Sequence, residues 1–152
     1  MKKGMTLLGL MVMAATAADA GVWRTAKGKD RLTGEPFALT GTQSIGDARV
    51  VGGGRWDDSA CATLFVDLIG GGVFIQSPTY LSRGPIRGSW AFDGGEVQTG
   101  TMDASEQVAV FPDPAAFLAD LKAAKHLVVR VWDFRDRTHT WTFDVSKLPE
   151  SR

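Results

Sequence analysis

The segment at residues 107–145 constrains the fold most, because its hydrophobic period changes from that of a helix to that of a strand. Phe117, Leu118 and Leu121 recur at helical spacing and define one apolar face. Asp113 and Pro114 precede them, and these residue types favour the N-cap and the first helical position. The pattern therefore predicts a helix over about residues 113–125.

A two-residue alternation follows the helix and predicts a β-hairpin. Leu127, Val129 and Val131 share one face of the first strand, and Trp141 and Phe143 share one face of the second. The other face of the first strand carries Val128, Arg130, Trp132 and Phe134. The polar residues 135–138 predict the turn, and we expect the aromatic face of the hairpin to support the helix.

Short alternating segments separated by glycine-rich turns fill the rest of the chain. Turns recur about every 8–12 residues, which is typical of antiparallel sandwiches and barrels. We expect loops at residues 27–36 and 77–85, loop and short strand at 41–59, and a turn at 103–105. The predicted fold class is mainly β: an antiparallel β-sandwich or barrel-like domain with one late helix covering the sheet.

The N-terminus has the pattern of an export signal. Lys2 and Lys3 precede an apolar run at residues 5–17, and Ala18-Asp19-Ala20 fits a small-x-small cleavage site. The run is shorter than the roughly 20 residues that cross a bilayer as a helix. We predict a signal peptide at residues 1–20, a single β-rich domain at 21–152, and a periplasmic or secreted location.

Charge and cysteine content limit the partners. The whole chain has 17 basic and 17 acidic side chains, and the predicted signal removes Lys2, Lys3 and Asp19, which leaves a formal charge of −1. This balance does not favour a nucleic-acid partner. Cys61 is the single cysteine, so an intrachain disulfide is excluded, and its apolar surroundings favour a buried position.

The sequence contains no recognisable catalytic, metal-binding or cofactor-binding motif. His126 is interpreted as a helix-end residue and His139 as a residue at the hairpin edge, and their spacing does not predict a zinc site. No serine lies in a Gly-x-Ser-x-Gly elbow. The glycines at residues 52–54 lack the Lys-Ser/Thr of a phosphate loop. We predict no catalytic, metal or cofactor residues, and a non-enzymatic role is favoured.

Two groups of residues are candidates for partner binding. Trp23 and Trp56 lie near glycine-rich segments, whereas the other three tryptophans alternate within predicted strands and are expected in the core. Arg135, Asp136 and Arg137 form the charged tip of the predicted hairpin. A solvated tip with weak ion pairs is the favoured interpretation, and a docking tip is the alternative.

The order of features resembles that of the VasI/TagO-like exported accessory proteins of type VI secretion and their uncharacterised relatives. The resemblance is carried by Trp23, Asp30-Arg31-Leu32-Thr33, Trp90-Ala91-Phe92-Asp93, Phe117-Leu118-Ala119-Asp120-Leu121 and the closing strands at residues 127–131 and 142–145. It implies a periplasmic β domain with an envelope role, including association with peptidoglycan. It implies no catalytic residues.

Three functional hypotheses follow. The first is a non-enzymatic periplasmic binding or accessory domain whose partner is an envelope protein or peptidoglycan. The second is a small secreted hydrolase with an unfamiliar site, and the third is an exported inhibitor that acts through a loop. The lack of a nucleophile–histidine or paired-carboxylate motif favours the first or the third.

Overall fold

The computed structural model describes residues 21–51 and 61–150, and for residues 46–51 it gives the backbone alone. The predicted signal at residues 1–20, the glycines at 52–54 and Trp56 lie outside the described residues. The elements in chain order are β1 (Arg24–Lys29), β2 (Pro36–Gln43), β3 (Ile45–Val51), β4 (Thr63–Asp67), β5 (Val73–Gln76), β6 (Ser82–Phe92), β7 (Gln98–Glu106), β8 (Val108–Val110), α1 (Pro114–Ala123), β9 (His126–Trp132) and β10 (Thr138–Asp144).

The ten strands form one antiparallel sheet in the order β1-β2-β4-β5-β8-β7-β6-β9-β10-β3. β2 and β3 are separated by Ser44 alone, yet β2 lies near one end of this order and β3 at the other. The chain therefore passes directly between the two ends of the sheet, as it does at the corners of barrels and orthogonal sandwiches. The predicted fold class is confirmed.

The β9–β10 hairpin has the predicted faces and register. Leu127, Val129 and Val131 are fully buried, and so are Trp141 and Phe143 on the neighbouring strand. These side chains belong to the main core cluster, in which both strands meet the inner residues of β4 to β8. The opposite face of the hairpin is consequently turned away from the core.

The predicted helix is present, but its aromatic contacts differ from the expectation. The Asp113 side chain caps it, accepting from the Ala116 N–H at 3.5 Å. Phe117 packs against the rings of Phe111, Phe92 and Trp90 at centroid distances of 4.0, 5.2 and 5.9 Å. Its aromatic neighbours thus come from β6 and the end of β8, and not from the hairpin. No helix in the described ranges is both long and apolar enough to span a membrane.

Strands replace several predicted loops. Lys27 to Lys29 belong to β1. The strand predicted within residues 41–59 is longer than the expected short one, since residues 41–43 belong to β2 and 45–51 form β3. Gly41 lies within β2 at a place where a Cβ would come within 2.9 Å of the Phe65 ring, so glycine permits this close approach. β6 begins at Ser82, inside the predicted loop at residues 77–85.

The turn predicted at residues 103–105 is wrong. These residues extend β7 and pair with both β6 and β8. The chain reverses next to Glu106 instead, where a positive φ of 60° provides the change of direction. Small polar residues at 103–105 resemble a turn, but the long partner strand β6 keeps them in the sheet.

Candidate binding surface

The turn between β9 and β10 is held by the carboxylate of Asp133. Its Oδ1 accepts from the backbone N–H groups of Arg135 at 2.8 Å and Arg137 at 3.0 Å. The backbone of Asp133 also donates to the Arg137 carbonyl and accepts from Asp136 N–H, both at 2.9 Å. This Asx-type arrangement fixes residues 133–137 in one conformation.

The second carboxylate oxygen of Asp133 links the turn to the interior. Oδ2 accepts from Arg137 Nε at 2.9 Å and lies 2.9 Å from Nε2 of His139. The side chains of Asp133 and His139 are buried, with 0% and 2% of their surface exposed. Burial raises the pKa of the Asp133 carboxyl, but the hydrogen bonds from His139 and from the turn outweigh this and lower the pKa overall.

His139 is a buried residue, and the interpretation as a hairpin-edge residue is wrong. Its ring stacks on Trp141, with a centroid distance of 5.8 Å and an interplanar angle of 21°. It occupies the same side of β10 as Trp141 and Phe143, which the strand alternation of the sequence would have indicated. Its contact with Asp133 Oδ2 connects the buried ring to the turn.

An exposed aromatic pair lies beside this turn. Phe134 is 54% exposed and Tyr80 is 42% exposed, and their rings meet edge to face at 5.4 Å. The backbone N–H of Phe134 donates to the Leu81 carbonyl at 2.9 Å, which attaches the turn to the segment just before β6. The Arg135 guanidinium lies 5.1 Å from the centre of the Phe134 ring. The pair is therefore held in place by backbone contacts while its ring surfaces remain accessible.

Arginine and hydroxyl side chains continue this surface across the outer side of β7, β6, β9 and β10. The Arg87 guanidinium stacks on the Trp132 ring at 4.0 Å from its centroid. Thr101 lies opposite Arg87, and Thr138 lies opposite Trp132, so these four residues form one row. A guanidinium stacked in this way keeps its N–H edges available for an anion.

A second row lies one pleat further along the same strands. Thr99 pairs with Ser89, Ser89 with Arg130, and Arg130 with Thr140. The Ser89 and Thr99 hydroxyls are 3.2 Å apart, and Arg130 Nε donates to Thr140 Oγ1 at 3.0 Å. The hydroxyl neighbours hold the second row in a fixed arrangement without neutralising its charge. We call the whole surface the outer face; it consists of Tyr80, Arg87, Ser89, Thr99, Thr101, Arg130, Trp132, Phe134, Arg135, Thr138 and Thr140.

The outer face carries an excess of positive charge. Arg87, Arg130 and Arg135 form no ion pair with any described residue, whereas the nearby Arg83 is paired with Glu106 at 3.3 Å. Asp136 adds one exposed carboxylate at the turn, and Asp103, exposed on β7 one row beyond Thr101, adds a second. Three guanidinium groups beside two carboxylates leave a net charge of +1, which favours an anionic partner.

The predicted partner-binding residues differ in their exposure to solvent. Arg135 and Asp136 are exposed at the turn, while Arg137 is half-buried and bound to Asp133. Trp23 is half-buried, packs against the core, and donates its indole N–H to the Ser146 carbonyl at 2.9 Å. Trp56 lies outside the described residues. Sequence reasoning missed Tyr80 and Arg87, because their places beside Phe134 and Trp132 depend on strand order.

An open groove of about 270 Å³ lies at the C-terminal end of α1, away from the outer face. Its acidic lining residues are Asp93, Glu96 and Asp120. Asp93 Oδ1 accepts from the backbone N–H groups of Lys125 at 3.0 Å and His126 at 2.8 Å, and these bonds lower the pKa of its carboxyl. This carboxylate therefore caps the start of β9, and no cluster with metal-site geometry occurs among the described residues.

The chain was compared with models of known protein families, with curated protein sequences and with solved structures, and none of them matches it.

Proposed function

We propose that the protein is an exported, non-enzymatic binding domain of the cell envelope, and that the outer face contacts its partner. The observation that carries the proposal is the exposed Tyr80–Phe134 pair beside guanidinium groups that have no ion-pair partner among the described residues. Exposed aromatic and arginine side chains are the residue types that contribute most to binding energy at interfaces.

Rigidity supports a binding role for this surface. Asp133 fixes the turn through four accepted hydrogen bonds, and the stacked or hydrogen-bonded arginines keep their positions on the sheet. A surface that is ordered before it meets its partner loses less conformational entropy on binding. Asp133 and His139 are used here to shape the surface, which distinguishes this proposal from the hydrolase hypothesis.

The cellular side of the proposal rests on the sequence. The Lys2-Lys3 start, the apolar run and the Ala18-Asp19-Ala20 site favour export, with cleavage after Ala20. A role as a type VI secretion accessory is the specific form of the proposal that the family resemblance implies. N-terminal sequencing of the periplasmic protein should give Gly21 as the first residue, and a product that retains Met1 would contradict export by this signal.

The binding claim is tested with the mature protein purified from the periplasm. Co-sedimentation with isolated peptidoglycan and capture of envelope proteins are compared for the wild type, Phe134→Ala and Arg87→Gln. Arg31→Gln serves as the matched control, because Arg31 is exposed in the distant turn between β1 and β2.

We expect envelope binding by the wild type and the control, and weaker binding by both outer-face variants. Equal binding by all four proteins would place the contact elsewhere and contradict the proposal. Capture of a single enzyme with loss of its activity would instead support the inhibitor hypothesis.

A further inference from the structure

We propose that the outer face binds a carboxylated glycan, a polymer of sugar rings that carry carboxylate groups. This inference rests on the proposed function and names the ligand class of the same surface. It combines three features of the outer face: guanidinium groups in successive rows, accessible aromatic rings, and hydroxyl groups between them.

The guanidinium groups are placed to bind more than one carboxylate of the same polymer. Arg87 lies on β6 in the first row, and Arg130 lies on the adjacent strand β9 in the second. Neighbouring strands are about 4.8 Å apart and successive rows about 6.7 Å apart, so the two backbone positions differ by roughly 8 Å. Planar guanidinium groups pair with carboxylates through two parallel hydrogen bonds.

The rings and hydroxyl groups account for the sugar part of the ligand. Tyr80 and Phe134 offer apolar ring surface to the C–H faces of a sugar, while Ser89, Thr99 and Thr140 can exchange hydrogen bonds with sugar hydroxyls. The rows are mostly polar, with the apolar surface concentrated at the turn. This distribution differs from the continuous apolar centre of a stable protein–protein interface.

A membrane surface fits this face less well. Interfacial binding requires several apolar side chains that enter the lipid together. Val128, at 39% exposure, is the one exposed aliphatic residue in the outward positions of β9, and the exposed rings of Tyr80 and Phe134 are confined to the turn. Anionic vesicles are therefore an appropriate competing probe.

The test uses polygalacturonate, its methyl ester and neutral dextran as soluble probes, with the mature protein and isothermal titration calorimetry. We expect binding to polygalacturonate that weakens with added salt, and at least about tenfold weaker binding to the methyl ester, because esterification removes the charged acceptor. Dextran should bind no better than the ester. Arg87→Gln and Arg130→Gln should each reduce affinity for polygalacturonate about tenfold, whereas Arg31→Gln should leave it unchanged.

Arg87→Lys separates geometry from charge. It keeps the positive charge but cannot form the two parallel hydrogen bonds, so its affinity should fall between those of the wild type and Arg87→Gln. Thermal melts of all variants should match the wild type, because both arginines are exposed.

Several outcomes would overturn the inference. Equal binding of the ester and the acid would exclude carboxylate recognition, and unchanged affinity in both glutamine variants would exclude this face. Binding to anionic vesicles with the same arginine dependence, or to envelope material without any to polygalacturonate, would reject the glycan while leaving the proposed function in place. Failure to bind envelope material would reject the proposed function itself, whatever polygalacturonate does.

Discussion

Replacing Asp133 by asparagine is the most direct perturbation of the β9–β10 turn. The carboxylate accepts four hydrogen bonds, two at each oxygen, and its side chain is fully buried. Asparagine replaces one of these oxygens with an N–H₂ group, which cannot accept the two hydrogen bonds that the oxygen accepted. His139 can adapt by changing tautomer, but Arg137 cannot, because a guanidinium has no acceptor.

The magnitude follows from the bonds that are lost. A hydrogen bond to a charged group contributes about 1.5–3 kcal/mol, and the remaining ones weaken when the charge is removed. We therefore expect Asp133→Asn to lower the free energy of unfolding by about 3 kcal/mol, measured by urea denaturation of the mature protein.

Asp136→Asn is the matched control for this substitution. Asp136 is exposed at the same turn, and its φ of 59° lies in the left-handed region that asparagine tolerates. The change in unfolding free energy should stay within about 0.5 kcal/mol. If Asp133→Asn costs less than about 1 kcal/mol, or no more than the control, then the Asp133 network does not hold the turn and the reasoning is refuted.

Three further predictions concern the stability of the domain. Phe117→Ala should lower the free energy of unfolding by about 3–5 kcal/mol in urea denaturation, because the ring is 3% exposed and contacts three other rings. The control Asp120→Ala, at an exposed position of the helix, should change it by no more than about 0.5 kcal/mol. Similar losses in the two variants would show that the buried face of the helix is wrongly assigned. Four carboxyls among the described residues have lowered pKa values in the folded protein, so their stabilisation is present above the unfolded pKa of about 4 and is lost as pH falls through the folded values. The unfolding free energy should therefore be lower at about pH 3 than at pH 7, with a smaller drop in Asp133→Asn, and a rise on acidification would contradict the sign. Thermal melts with chelator or reductant should superimpose on the untreated melt, since the single cysteine cannot form an intrachain disulfide; a fall of several degrees would reveal a stabilising metal or an intermolecular bond.

The sequence allowed the helix and the hairpin to be predicted because their signals are local. The positions of Asp113 and Phe117 and the alternation through Val129 and Trp141 require no knowledge of distant residues. The glycine-rich strands could not be predicted in the same way. Gly41 indicates a loop by composition, but it lies in β2, where glycine permits the close approach of the Phe65 ring from the neighbouring strand.

The outer face, too, could be predicted from the sequence only in part. The alternation of β9 predicted that Arg130 and Trp132 lie opposite the buried valines, as the structure shows. The expectation that Trp132 lies in the core is therefore wrong, because its half-buried ring is on the outer side under Arg87. The partners of Trp132 and Phe134 could not be predicted, because Arg87 and Tyr80 are more than forty positions away in the sequence and are brought close by the β6–β9 pairing. His139 was within reach of sequence reasoning, because it shares the inward side of β10 with Trp141.

The position of Asp133 determines which substitutions can test binding. Its carboxylate is buried, yet it controls the turn that carries Phe134 and Arg135 at the surface. A loss of binding in Asp133→Asn would accompany a loss of stability, so that it could come from the disordered turn without any contact to the ligand. Phe134 and Arg87 lack this ambiguity, because their side chains lie on the solvent side of the sheet and hold no buried polar network. Substitutions at these two positions, in proteins whose melts match the wild type, therefore separate recognition by the outer face from the integrity of the fold beneath it.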